Sequence, residues 1–471
     1  MNNRKYLFTA LLALSMGYQA NAQKAALKGN KPQLWLTDPA NKVFFKQYPV
    51  QVAERQNNLP QIIINPAKKY QQMDGFGFAL TGGSAMLINK MSPDKQMALL
   101  RELFATGKNN IGTSYLRVSI GASDLDDRAF SYDDLPTGEK DPELKKFSLA
   151  EDRKALIPVL KKVLAINPKI KILGSPWSPP AWMKTNDSTG GGHLKPAYYQ
   201  AYAQYFIKYI RGMAANGIHI DAITIQNEPL NANNNPSMIM EAAEQANFIK
   251  NNLGPDFAKA KIKTKIILYD HNADRPDYPV TILKDTQANK YADGSAFHLY
   301  GGKIEALSEV HKAFPDKNLY FTEQWVGAPG NMEKDMRFAI KELIIGATRN
   351  WCRNVLEWNL AADPHQNPHT PGGCSECLGA VTINGDQVTR NPAYYIIAHA
   401  AKFVRPGSKR IESNYIADLP NVAFSTLSGQ TVLIVYNDSA TVKKFIMKSG
   451  DRVFQGSLNA GATGTYVFKS F

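Results

Sequence analysis

Between Gly75 and Ala361 the sequence returns eight times to a short apolar, β-rich run, and most of the intervals have the length of a helix. The runs are Gly75 to Leu80, Thr113 to Ile120, Ile170 to Trp177, Asp221 to Asn227, Lys265 to Asp270, Ser295 to Tyr300, Leu319 to Trp325 and Val355 to Leu360. Between them, Pro196 to Ala214 carries Tyr199, Tyr202, Phe206, Ile207 and Ile210 at helical spacing. Strands alternating with helices form a parallel sheet, and eight such units predict a closed (β/α)8 TIM barrel.

The flanks follow a different pattern. Leu34 to Ile64 holds pieces such as Val50 to Ala53 and Ile62 to Ile64. Arg410 to Phe471 holds Val422 to Ser425, Val432 to Tyr436, Lys444 to Met447 and Thr465 to Phe468, with turn residues between them. Chain ends often meet, so the flanks predict an associated antiparallel β-sandwich built from both chain ends. The expected division is a signal peptide at 1–22, N-terminal sandwich strands at 23–70, the barrel at 71–395 and the C-terminal sandwich at 396–471.

The signal peptide is read from Arg4 and Lys5, the apolar run Leu7 to Met16 and the exit Ala20-Asn21-Ala22. That run is shorter than the roughly 20 residues that span a bilayer, and no later segment is long and apolar enough. The mature chain is therefore expected to lack a transmembrane segment and to be exported, to the periplasm or outside the cell. At 44% hydrophobic and 20% charged residues the 471-residue chain is not a disordered one. Its formal charge of +14 falls to about +12 without residues 1–22, but the lysines are scattered singly, so no nucleic-acid partner is expected.

Catalytic groups of barrels sit at the C-terminal ends of strands. The fourth run ends in Asn227-Glu228-Pro229 and the seventh in Glu323-Gln324-Trp325. Three βα units of about 32 residues separate the two glutamates, so both belong at one mouth. Two carboxyl groups about 5 to 5.5 Å apart suit hydrolysis of a glycosidic bond with retention, one protonating the leaving oxygen and the other attacking the anomeric carbon. Either glutamate alone reads as a solvated loop residue; the pair in register does not. This chemistry needs no cofactor and no metal.

Other strand ends carry Arg117, Asp124, Trp177, Trp182, His298, Tyr300 and Trp358. Aromatic faces suit the C–H face of a sugar, while carboxylates and amides suit its hydroxyls. Trp177, in a proline-rich loop, is expected to be an exposed platform, and Trp351 to pack in the core. Asn227 is placed to meet the sugar 2-hydroxyl, and Arg117 to hold Glu323 ionised. The Glu323 charge is expected to raise Glu228.

Three cysteines occur. Cys352 is expected to be a buried thiol. Cys374 and Cys377 read as a disulfide, as unpaired thiols, or, with His365 and His369, as zinc ligands.

At these residues the chain resembles glycoside hydrolase family 30, which includes lysosomal glucosylceramidase and bacterial and fungal β-1,6-glucanases. The segments are DGFGFALTGGSA (Asp74 to Ala85), LRVSIGASDLD (Leu116 to Asp126), FSYDD (Phe130 to Asp134), GSPWSPPAWMKTN (Gly174 to Asn186), TIQNEP (Thr224 to Pro229), FHLY (Phe297 to Tyr300), FTEQW (Phe321 to Trp325) and EWNLA (Glu357 to Ala361). The resemblance implies Glu228 as acid/base, Glu323 as nucleophile, sugar contacts from Asp124, Trp177, Asn227 and Trp358, and Tyr300 close to the nucleophile. Leu299, where glucosylceramidase has tryptophan, and the Gly373 to Cys377 loop point to the β-1,6-glucanase branch and a polysaccharide or oligosaccharide partner. The competing readings are a glucosylceramidase or β-glucosidase, a non-catalytic carbohydrate-binding protein, and a zinc hydrolase built on His365 to Cys377.

Overall fold

The computed structural model describes residues 32–50, 58–107 and 109–469. The expected signal peptide, and the end of the expected strand Val50 to Ala53, lie outside those residues.

Eight parallel strands close into a barrel: Gly75–Ala79, Tyr115–Ser119, Lys171–Ser175, Ala222–Thr224, Lys265–Ala273, Ala292–Gly302, Asn318–Glu323 and Cys352–Asn359. The first pairs with both the second and the eighth. Every run expected from the sequence contains or overlaps one of them. The expected amphipathic helix is Tyr199–Ala215, led by a 3-10 turn at Pro196–Tyr198.

Side chains alternate across a strand, and that period builds the barrel interior in layers. One layer is apolar: Tyr115, Leu173, Ala222, Ile267, Ala296, Tyr320 and Leu356, one from each strand but the first. The first strand offers Gly77, where a Cβ would come 1.8 Å from the Tyr115 carbonyl oxygen. Its outward residues Phe76 and Phe78 pack into the surrounding core, which explains the alternating Gly-Phe-Gly-Phe. Truncating Phe78 to Ala would cost about 3–5 kcal/mol.

Two residues nearer the mouth, the same strands supply Arg117, Ser175, Thr224, His298, Thr322 and Trp358, a mainly polar layer. The fifth strand departs from the period, which would turn Tyr269 inward. A register shift falls between Tyr269 and His271, and both Tyr269 and Asp270 have positive φ (69° and 70°). This bulge sends Tyr269 out against Tyr278 and brings Asp270 into the polar layer.

Both chain flanks join one nine-stranded sheet, in the order Val43–Pro49, Gln33–Asp38, Thr463–Lys469, Gln430–Tyr436, Asn421–Ser425, Lys409–Ser413, Gln61–Gln72, Lys443–Ser449, Arg452–Leu458. All neighbours are antiparallel except Gln61–Gln72 with Lys443–Ser449. The sheet folds over on itself: Phe468, on its third strand, meets Phe454, on its ninth, at 5.1 Å. Along Gln430–Tyr436, Leu433 and Val435 enter the sandwich core while Val432, Ile434 and Tyr436 join the barrel core. Both faces are covered, so the strand is apolar without alternation.

Helix Pro392–Ala401 packs in the barrel core, so the 395/396 boundary expected from the sequence falls inside it. Likewise the sandwich strand Gln61–Gln72 runs past residue 70.

Candidate active site

At the C-terminal mouth lies a cavity of about 510 Å3 lined by Glu228, Glu323, Asp124 and the rings of Trp177, Trp358 and Tyr300, among others. One carboxylate oxygen of Glu228, one of Glu323 and a ring nitrogen of His298 all lie within 4.8 Å of one another. Glu323 faces the mouth because a register shift follows Phe321 on the seventh strand. Glu228 is held at φ 44° with its N–H donating to the Asp270 carbonyl at 3.0 Å.

Beneath this floor the polar layer converges on Asp270, which is fully buried. Its carboxylate accepts from Arg117 Nη2 at 2.8 Å, Ser175 Oγ at 2.6 Å, Thr224 Oγ1 at 2.7 Å and Thr322 Oγ1 at 2.6 Å, and lies 3.1 Å from His298 Nε2. Buried charge survives only when paired and hydrogen-bonded in this way. Arg117 spreads over the whole layer. Its Nη1 bonds Glu323, and its Nη2 also donates to Asn227 Oδ1 at 2.7 Å.

Burial alone would push Asp270 up, but the Arg117 guanidinium and His298 hold it well below the usual carboxylate range. His298 would be lowered by burial, yet Glu323, Asp270 and Glu228 raise it to about 9, so it is an imidazolium at neutral pH. For Glu228, burial is outweighed by His298, whose Nδ1 is 3.4 Å away, by His271, and by Asn231, whose Nδ2 donates at 2.8 Å. Glu228 is held at about 2. Glu323 is raised, because burial exceeds the pull of His298 and Arg117. The expected order of the two glutamates is thus reversed: the imidazolium stands nearer Glu228, at 3.4 Å against 3.7 Å from Glu323. Asp124 is pushed up to about 7 by burial and by the Glu323 charge.

Of the residues singled out in the sequence, Asp124, Trp177, Tyr300, Trp358, Glu228 and Glu323 line the cavity. Tyr300 O–H donates to Glu323 Oε1 at 2.9 Å. Arg117, Asn227 and His298 lie in the layer below. Trp177 is no exposed platform. It is 2% exposed, stacked on Trp358 with centroids 5.2 Å apart, and the Arg117 guanidinium lies 4.8 Å from its ring centre. Trp182 is buried beside the mouth, donating to the Asp133 carbonyl, and Trp351 is partly buried against His311. Asp270 and His271 were missed, although Asp270 closes its apolar run as Glu323 does.

Cys374 and Cys377 form a disulfide and Cys352 is a buried thiol. The thiolates a zinc site needs are consumed, so the His365 to Cys377 string is not a metal centre. The disulfide loop lines the cavity, and Cys374 N–H donates to Asp124 Oδ2 at 3.3 Å. Glu228, His298 and Glu323 are the one trio of acidic, histidine or cysteine ligands among the described residues close enough to share a metal ion. Both ring nitrogens of His298 already face carboxylates, and Arg117 already supplies cationic charge to Glu323.

The profile of the glycosyl hydrolase family 30 TIM-barrel domain matches residues 73–404, and that of the family 30 β-sandwich domain matches residues 407–466. The chain belongs to glycosyl hydrolase family 30. It is thus a glycoside hydrolase. Within family 30 it is 38% identical over 358 residues to endo-1,6-β-D-glucanase neg1 of Aspergillus fumigatus, spanning 72% of this chain and 71% of that one. Lysosomal acid glucosylceramidase of Mus musculus is 30% identical over 438 residues, 87% and 83% of the two chains. The solved endo-β1,6-glucanase BT3312 superposes with a TM-score of 0.86 at 36% identity, covering 94% of this chain and all of that one. No helix among the described residues is long and apolar enough to cross a membrane.

Proposed function

We propose that this family 30 enzyme cleaves β-linked glucan, β-1,6-glucan in particular, by double displacement, with Glu323 as nucleophile and Glu228 as acid/base. The observation that carries the reading is the approach of the two carboxylates, with oxygens within 4.8 Å. Retention needs carboxyl groups about 5 to 5.5 Å apart, whereas inversion needs about 6.5–9.5 Å to admit a water. The roles follow from the surroundings. Arg117 and Tyr300 bind Glu323 from two sides and orient it for attack. Glu228 has the mobile proton nearby: His298 Nδ1, 3.4 Å away, is charged at neutral pH. A neutral sugar filling the cavity displaces water, desolvation raises the Glu228 carboxyl, and the imidazolium proton passes to it for the leaving oxygen. Once the glycosyl-enzyme forms, the Glu323 charge is gone and Glu228 acts as base on water.

The identity to endo-1,6-β-glucanases supports the linkage. Residues 1–22 are proposed as a signal peptide, which fits a polysaccharide met outside the cytoplasm.

The test is hydrolysis of β-1,6-glucan, β-1,3-glucan and glucosylceramide by the protein and by its Glu228→Gln and Glu323→Gln variants, with product anomers followed by NMR. Cleavage of β-1,6-glucan to the β-anomer, lost in both variants, is the expected result. An α-anomer as first product would sink the mechanism, and turnover of glucosylceramide alone would sink the substrate.

A further inference from the structure

The wall beside Glu228 is made of different material from the wall beside Glu323. Glu323 faces rings and the Asp124 carboxyl, whereas Glu228 has Asn231 and His271 beside it, and Asn234 and Asn272 line the same cavity. The amides have fixed orientations. Asn234 Oδ1 accepts from the Asn235 N–H at 2.9 Å, and Asn272 Oδ1 accepts from the Tyr300 N–H at 3.0 Å. A backbone donor on the oxygen decides which end of the amide is which and leaves the NH2 group pointing away. Neither of those two NH2 groups has a partner among the described residues. Asn231 is held at both ends: its oxygen accepts from the Asn233 N–H at 3.0 Å, and its Nδ2 donates to Glu228. His271 Nε2 lies 4.0 Å from Glu228 Oε1.

The loop carrying Asn231 and Asn234 is tied to its neighbour by a buried lysine. Lys184 is buried, and its Nζ donates to Ser178 Oγ at 3.0 Å, to the Thr189 carbonyl at 2.9 Å and to the Ser237 carbonyl at 2.6 Å. The ammonium thereby joins the loop after the third strand to the loop after the fourth. Donors held in this way are preorganised, which lowers the ordering cost of binding.

We propose that Asn234, His271 and Asn272, with Asn231 steadying Glu228, form a leaving-group subsite that selects a sugar over a lipid. The proposal rests on Glu228 being the acid and deepens the glucan reading. A glucosyl leaving group brings hydroxyl oxygens to meet these N–H groups. A long apolar leaving group would strand them, and a site built for hydrogen bonds rejects a ligand that cannot make them.

The experiment compares kcat/KM on β-1,6-linked gluco-oligosaccharides with kcat/KM on 4-nitrophenyl β-glucoside, whose leaving group has no alcohol hydroxyls. Asn234→Ala and Asn272→Ala are each expected to lower the ratio of the two by about tenfold. Asn234→Asp and Asn272→Asp keep the acceptor for the backbone N–H and the shape of the side chain while removing the donor. They are expected to lower the ratio at least as much, which separates lost recognition from a loosened loop. A parallel fall on both substrates, or an unmoved ratio, overturns the subsite. Wild-type turnover of glucosylceramide without any β-glucan overturns subsite and glucan reading together. Cleavage of a different β-glucan overturns only the linkage, and the same ratio measured on that glucan then decides the subsite.

Discussion

The two ends of the barrel treat buried charge in opposite ways. At the N-terminal end, Asp74 accepts from Arg353 Nε and Nη2, both at 3.0 Å, and from Lys171 at 2.8 Å. Asp293 accepts from Tyr320 at 2.6 Å and Asn318 at 2.9 Å, with Lys265 at 3.1 Å. Cations match or exceed carboxylates, and both aspartates lie below their usual range although burial alone would raise them. At the mouth, among the described residues, the four carboxyl groups Asp124, Glu228, Asp270 and Glu323 face Arg117, His298 and the imidazole of His271, which burial lowers to about 4. The closed network can only hold strands together. The open one cannot satisfy every carboxylate, so protons and a sugar have somewhere to go.

Removing a carboxylate at the mouth should break function before fold. Glu323→Gln is expected to abolish glucan cleavage, and Glu228→Gln to lower kcat about 10²–10⁴-fold, with thermal melts close to wild type. Initial rates and calorimetry check both. A sharper pair is Asp270→Asn against Asp74→Asn. Asp270→Asn strands the fully buried Arg117 and should destabilise the fold by about 3–5 kcal/mol in denaturant melts, whereas Asp74→Asn leaves the partly exposed Arg353 and Lys171 and should cost less. Only Asp270→Asn should also shift the pH–rate profile, through His298 and Arg117.

The pH dependence of stability should differ in sign between the ends. Asp124 titrates at about 7 in the folded chain, above its unfolded value. The folded state therefore holds the extra proton from about pH 4 to 7, and stability falls as pH rises through that window. At pH 8 Asp124→Asn should raise Tm while lowering kcat/KM. Asp74 is lowered on folding, so its contribution is present above its unfolded pKa and is lost as pH falls through the folded one. Asp74→Asn should lower Tm at pH 8. The smallest effect is expected from opening the Cys374–Cys377 disulfide with dithiothreitol. It closes so short a loop that about 2 kcal/mol is at stake, and a few-fold rise in KM, through Asp124, is the readout.

The strands were legible in the sequence because each carries an apolar run bounded by polar residues, and Glu228 and Glu323 because each ends such a run. Asp270 ends one too, yet its place at the centre of the polar layer depends on a bulge with two positive φ angles, which periodicity does not reveal. Trp177 misled for a related reason: a proline-rich loop announces rigidity but not direction. The layer holding Arg117, Asn227 and His298 beneath the cavity arises from contacts between different strands, and no local pattern encodes it. The single sheet drawn from both flanks was legible as strand content. So was its folding into a sandwich; its sharing of one strand between two cores was not.

Pairing of Gln33–Asp38 with Thr463–Lys469 bears on the order of folding. All eight barrel strands have been made once residue 359 is reached, but Gln33–Asp38, already beside Val43–Pro49, must wait for its second partner more than 400 residues downstream. Until then Val432 and Ile434, which complete the barrel's outer core, come from a sheet that cannot close. Such long-range pairing folds slowly, so the nascent chain stays open at both ends until its latest strand arrives.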